Sequence, residues 1–165
     1  MLALSSLAGI ASLATFIAPA AAGVNFVFGA GNFQGLSDKP GGTGESGHTS
    51  GFSLITDEGQ QIFDNSVVND YSPCFNTDPE SRMEVSSSCW NGPITFTCKS
   101  GFDGIPETCA GDYEYNHFPG AASEDTDFIG IAIAQQGSCG GNVVVDTSGC
   151  TKDNAGISIK YPTQR

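Results

Sequence analysis

Beyond residue 22 the chain has no long window of helix-period apolar spacing, and this constrains its fold more than any other feature. Short β-rich runs take its place, separated by Gly, Asp, Asn and Pro. They are Val24–Phe28, Gly51–Thr56, Gln60–Val68, Ile94–Lys99, Asp112–His117, Phe128–Gln135, Asn142–Asp146 and Gly156–Tyr161. Within Phe128–Ala134 the isoleucines Ile129, Ile131 and Ile133 fall on one side and small residues on the other. In Ile157–Tyr161 apolar and polar residues alternate. Asp57-Glu58-Gly59 lies between two runs and reads as a hairpin loop. Many short strands with frequent turn signals predict an all-β fold, a small antiparallel β-barrel or sandwich.

The segment before these runs is of another kind. Leu2–Ala18 is apolar or small throughout, Pro19 breaks it, and Ala20-Ala21-Ala22 supplies the small residues that signal peptidase accepts. Residues 1–22 are read as a cleaved signal peptide, with a cut after Ala20 as the near alternative. Residues 23–165 are then one secreted domain, long enough for a single hydrophobic core. No second apolar run of that length follows, so no membrane association is expected after cleavage. Six Lys and Arg against 18 Asp and Glu give a net charge of −12. Such a chain repels phosphate backbones, so nucleic acid is not an expected partner.

Cys74, Cys89, Cys98, Cys109, Cys139 and Cys150 form an even set. In a secreted chain this reads as a disulfide framework. None of the spacings is C-x-x-C, which argues against a zinc site or a dithiol redox motif. Six cysteines allow 15 connectivities, and the residues themselves do not choose among them.

Val24–Phe28 runs into Gly29, Gly31 and Gly35, as the strand of a dinucleotide-binding loop would. The spacing is G-x-G-x-x-x-G, no helix can open at Lys39-Pro40-Gly41-Gly42, and no Gly-Lys-Ser/Thr follows. Residues 29–50 are read instead as a flexible Gly-rich loop. Of the two histidines, His48 falls in that loop. Gly44-Glu45-Ser46-Gly47-His48 lacks the second glycine of a nucleophile elbow. His117 ends Asp112–His117, where strand alternation puts Tyr113, Tyr115 and His117 on one face and Asp112, Glu114 and Asn116 on the other. Glu124-Asp125-Thr126-Asp127 reads as a solvated turn, since it lacks the ordered calcium-loop pattern. No catalytic residue, metal ligand or cofactor is assigned, and the chain is read as non-enzymatic. Trp90, Tyr113 and Tyr115 are the candidate ligand-stacking residues, with packing against the neighbouring disulfide the plainer role for Trp90.

The cysteine and strand order carries a resemblance. Gly51–Thr56 precedes a Gly59 turn, and fourteen residues separate Cys74 from Cys89. Phe128–Gln135 leads to Cys139, ten residues intervene before Cys150, and the chain closes on Gly156–Pro162. Over roughly Gly51 to Pro162 this resembles the Alternaria major allergen family of secreted fungal β-barrels. The resemblance implies a Cys74–Cys89 and a Cys139–Cys150 bridge, which leaves Cys98 with Cys109. It also implies an effector-, elicitor- or allergen-like protein that binds a host protein or small ligand outside the cell, with no catalytic site. The founding member's N-terminal linking cysteine has no counterpart between Gly23 and Pro73, so a covalent dimer is not expected.

Overall fold

Ten strands make up the regular structure of the computed structural model, which describes residues 22–35, 46–68, 74, 80–129 and 132–161. In chain order they are β1 (Gly23–Gly35), β2 (Ser46–Thr56), β3 (Gln61–Val68), β4 (Ser81–Ser86) and β5 (Ile94–Ser100). Then come β6 (Pro106–Tyr113), β7 (Asn116–Pro119), β8 (Ala121–Ile129), β9 (Ala132–Val144) and β10 (Ser158–Lys160). They form two antiparallel five-stranded sheets, β3-β2-β1-β9-β8 and β10-β4-β5-β6-β7. The sheets pack face to face and do not close on each other, so the all-β fold is a sandwich rather than a barrel.

Period-two alternation builds the layer between them. Val24, Phe26 and Phe28 of β1 are buried while Asn25 and Val27 are only partly so. Phe52 and Leu54 of β2, Met83 and Val85 of β4, and Ile94, Phe96 and Cys98 of β5 join them in one cluster. The centre is aromatic. Phe28 and Phe52 lie with ring centroids 4.8 Å apart, Phe26 and Phe96 5.1 Å, and Phe52 and Phe96 5.2 Å, all tilted. Burying each such ring contributes about 1.5–3 kcal/mol.

The bridges are Cys74–Cys98, Cys89–Cys150 and Cys109–Cys139, which corrects the pairing implied by the family resemblance. The physical reason lies in the sheets. Cys98 and Cys109 are direct cross-strand neighbours on the core face, yet each points away to another layer of chain. Cys109 reaches across the sandwich to Cys139 on β9, with Cα atoms 5.9 Å apart. Cys98 takes Cys74 from the β3–β4 connection at 5.3 Å. Cys89 and Cys150 join the β4–β5 and β9–β10 connections, which are already tied by Ser88 N–H and Ser87 Oγ donating to the Ala155 carbonyl at 2.9 and 2.6 Å.

Four further expectations are overturned. Gly29–Gly35 and Ser46–Ser50 are not loop: they pair as strand, with Gly29 opposite Gly51 and Asn32 opposite His48. Residues 36–45 lie outside the described residues, as do residues 1–21 of the expected leader. Asp112–His117 is not one strand but the hairpin of β6 and β7, closed over Glu114 and Tyr115. Glu114 takes φ = 55°, a left-handed conformation that a Gly, Asn or Asp would have announced and a Glu does not. Phe128–Gln135 is not one strand either: Ile129 ends β8 and pairs with Ala132, which opens β9. Glu124–Asp127 lies in edge strand β8 rather than in a turn.

Candidate functional site: the outer face of the first sheet

The expected stacking residues are dispersed. Trp90, 7% exposed, belongs to the core cluster beside the Cys89–Cys150 bridge, so it has no free face for a ligand. Tyr113 is partly buried against the core and donates its hydroxyl to the Asn91 carbonyl at 2.9 Å. Tyr115 stands fully exposed at the hairpin tip. Asp112 and His117 are cross-strand partners, with Asp112 Oδ1 2.7 Å from His117 Nδ1 and both side chains open to solvent. Among the described residues no group of three or more His, Cys, Asp or Glu side chains is placed to hold a metal ion.

The first sheet offers a different arrangement. Its core-facing positions are filled by the aromatic cluster, so every second residue points outward. On the outer face one rung crosses four strands as Ser123, Ser138, Gly29 and Gly51, each opposite the next. All four are small, and among the described residues nothing lies within 4 Å of the point where a Cβ at Gly29 would stand. The next rung carries Asp125, Gln136, Gly31 and Thr49. Together they leave an open depression of about 340 Å³, lined by Gly29, Ser123, Asp125, Gln136 and Ser138 with the backbone of Ala30 and Gly137. Asp125 is exposed, and its Oδ1 accepts from the Thr126 N–H at 2.9 Å.

The same face continues toward the start of β1. Here Asn25, Asn142 and Asp57 form a network: Asp57 Oδ1 accepts from Asn25 Nδ2 at 2.9 Å and from Asn142 Nδ2 at 2.7 Å. The β2–β3 turn that holds Asp57 is fixed by Gly59 N–H donating to the Thr56 carbonyl at 2.8 Å. Charge is divided between the sheets. The five strands of the first carry no Lys or Arg, whereas Arg82, Lys99 and Lys160 lie on strands of the second. Among the described residues this face presents hydroxyls, carboxamides and carboxylates.

Two other groups titrate away from their usual ranges. Asp146, just after β9, is held below the usual carboxylate range by the Ser148 backbone N–H and then its hydroxyl. Burial of part of its ring pushes Tyr161 up. Neither belongs to the depression.

Sequence reasoning missed Ser123, Asp125, Gln136 and Ser138. Glu124–Asp127 and Gln135–Ser138 are polar runs, and without a partner strand such runs read as turns. No protein-family model, curated protein or solved structure matches this chain.

Proposed function

We propose that the chain is a secreted, non-enzymatic fungal binding protein of effector, elicitor or allergen type. It engages a host protein or a small polar ligand outside the cell through the outer face of the first sheet. The carrying observation is that three bridges cross-link segments 24, 61 and 30 residues apart in a fold whose first sheet bears a polar depression that no described residue covers. Disulfides of this density persist in oxidising compartments. The elicitor class comes only from the resemblance of the sequence's cysteine and strand order to the Alternaria major allergen family. The bridge pairing does not support that link, so the binding face carries more of the proposal than the resemblance does.

The test compares the secreted protein with its Gln136→Arg variant, which fills the depression and cancels the charge of Asp125. Both are infiltrated into leaves of several plants and immobilised against extracellular leaf fluid. The expected result is a defence response and a retained host protein with the parent, and loss of both at unchanged melting temperature with the variant. No response and no retained protein across the panel, or full retention by the variant, would count decisively against it.

A further inference from the structure

β1 begins at Gly23, and the space a side chain would take there is already occupied. A Cβ at Gly23 would stand 2.7 Å from Asn142 Oδ1, 2.8 Å from Asn142 Nδ2 and 2.9 Å from Asp57 Oδ2. Asp57 Oδ1 is engaged by the two carboxamides described above, and Oδ2 is turned toward Gly23. Asn142 Nδ2 also donates to Asn25 Oδ1 at 3.2 Å, which fixes the cradle. The Gly23 carbonyl is held too, accepting from the Asp57 N–H at 3.0 Å and from Thr147 Oγ1 at 3.2 Å. The sequence places the leader cut at the bond just before this residue.

We propose that hydrolysis of the Ala22–Gly23 bond completes the fold, because it releases the Gly23 α-ammonium into the cradle of Asp57, Asn25 and Asn142. The inference rests on the reading of the chain as secreted. A leader peptidase supplies the site and water the second reactant. The Ala22 acyl carbon gains the hydroxyl and becomes a carboxylate. The Gly23 nitrogen keeps the electron pair of the broken bond and takes two protons, one from the water and one from the new carboxyl, to become the ammonium. That nitrogen is one bond from Cα, so it lies within about 6 Å of Asp57 Oδ2, the range in which opposite charges stabilise each other. The ionisable groups on the segments around the start of β1 are Asp57 and Glu58 on the β2–β3 turn and Asp146 after β9. Each is a carboxylate.

The cut also removes something. The Ala22 carbonyl accepts from the Val145 N–H at 3.2 Å, and it departs with the leader. A cut after Ala20 would keep that bond and leave a neutral amide at Gly23. The two cuts therefore give folded products that differ in one hydrogen bond and one buried-edge charge.

An ammonium held by the Asp57 carboxylate should keep its proton to higher pH than a free α-amine, whose ordinary value is about 7.7–8.0. The stabilisation is therefore complete below that value and is lost as pH rises through the folded pKa. The experiment expresses the full-length chain and its Asp57→Asn variant in a secreting host. The N-terminus is read by mass spectrometry, and denaturant unfolding is followed at pH 6.5 and pH 10.5, with the α-amine free or acetylated. The expected result is Gly23 first and a loss of about tenfold in the folding constant for Asp57→Asn at pH 6.5. That loss should shrink at pH 10.5 and disappear once the amine is acetylated. Another N-terminus on a secreted product overturns the lock and leaves secretion standing. A chain retained in the cell with its leader overturns both. Gly23 first, with Asp57→Asn equally costly in free and acetylated protein, overturns the lock alone. Should the variant fail to fold, the parent's α-amine is titrated through the pH dependence of its acylation rate, and an ordinary value overturns the proposal.

Discussion

Gly111 decides how closely the two sheets approach. It lies on β6 opposite Phe96, and a Cβ there would meet Val143 Cγ2 at 2.5 Å, Phe96 Cε1 at 3.2 Å and Phe26 Cε1 at 3.4 Å. Val143, Phe96 and Phe26 are all fully buried, so none can swing into solvent to make room. Gly111→Ala therefore overpacks the middle of the sandwich, which costs about 1–3 kcal/mol. Val143→Ala removes two methyl groups from the same place and costs about 1.5 kcal/mol in transfer alone, before any cavity term. In the double variant the new methyl occupies the space the valine vacates, so the two losses should not add. A coupling of about 1 kcal/mol or more in the direction of rescue is expected. The assay is a double-mutant cycle in guanidinium, read by the emission of buried Trp90. A neutral Gly111→Ala, or strictly additive losses, would refute the close packing of β6 on β9.

Other expectations follow from single features. Replacing both cysteines of a bridge by alanine should cost about 4 kcal/mol, most for Cys89–Cys150, whose 61-residue separation is the largest, and least for Cys74–Cys98, by denaturant unfolding. Glu114→Gly should stabilise the β6–β7 hairpin by about 0.5–1 kcal/mol, because it relieves a left-handed residue at modest entropic cost; a loss would contradict the turn geometry. Asp146 is held low by Ser148, so its contribution is present above the ordinary aspartate value and is lost as pH falls through the lowered one. Ser148→Ala should raise that pKa, read by NMR titration of the carboxyl carbon.

Much of the fold was legible because strands with one buried face advertise it. Phe26, Phe28, Phe52 and Leu54 alternate with smaller or polar neighbours, and Ile159 sits between Ser158 and Lys160 in β10. The failures have physical causes. Gly29, Gly31, Gly47 and Gly51 have no side chain with which to show a period, yet their backbones fill the ladders between β1, β2 and β9. β4, Ser81–Ser86, holds only Met83, between Arg82 and Glu84, and Val85, between Glu84 and Ser86, too few apolar residues to stand out before β5 pairs with it. Glu114 carries no turn signature, so the β6–β7 reversal is imposed by pairing rather than announced locally. The depression on the first sheet was illegible for a related reason. Ser123, Ser138, Gly29 and Gly51 are distant in the chain, and only strand order and register bring them onto one rung. The bridge pairing shows the same limit: Cys98 and Cys109 are neighbours in space and still choose other partners.

The most direct test is a non-reducing peptide map of the protein as recovered from a secreting host, with cleavage between every pair of cysteines. An extracellular sandwich of this topology requires Cys74–Cys98, Cys89–Cys150 and Cys109–Cys139 with no free thiol. Neighbour pairing, Cys74 with Cys89, Cys98 with Cys109 and Cys139 with Cys150, or a chain recovered with reduced cysteines, would contradict it.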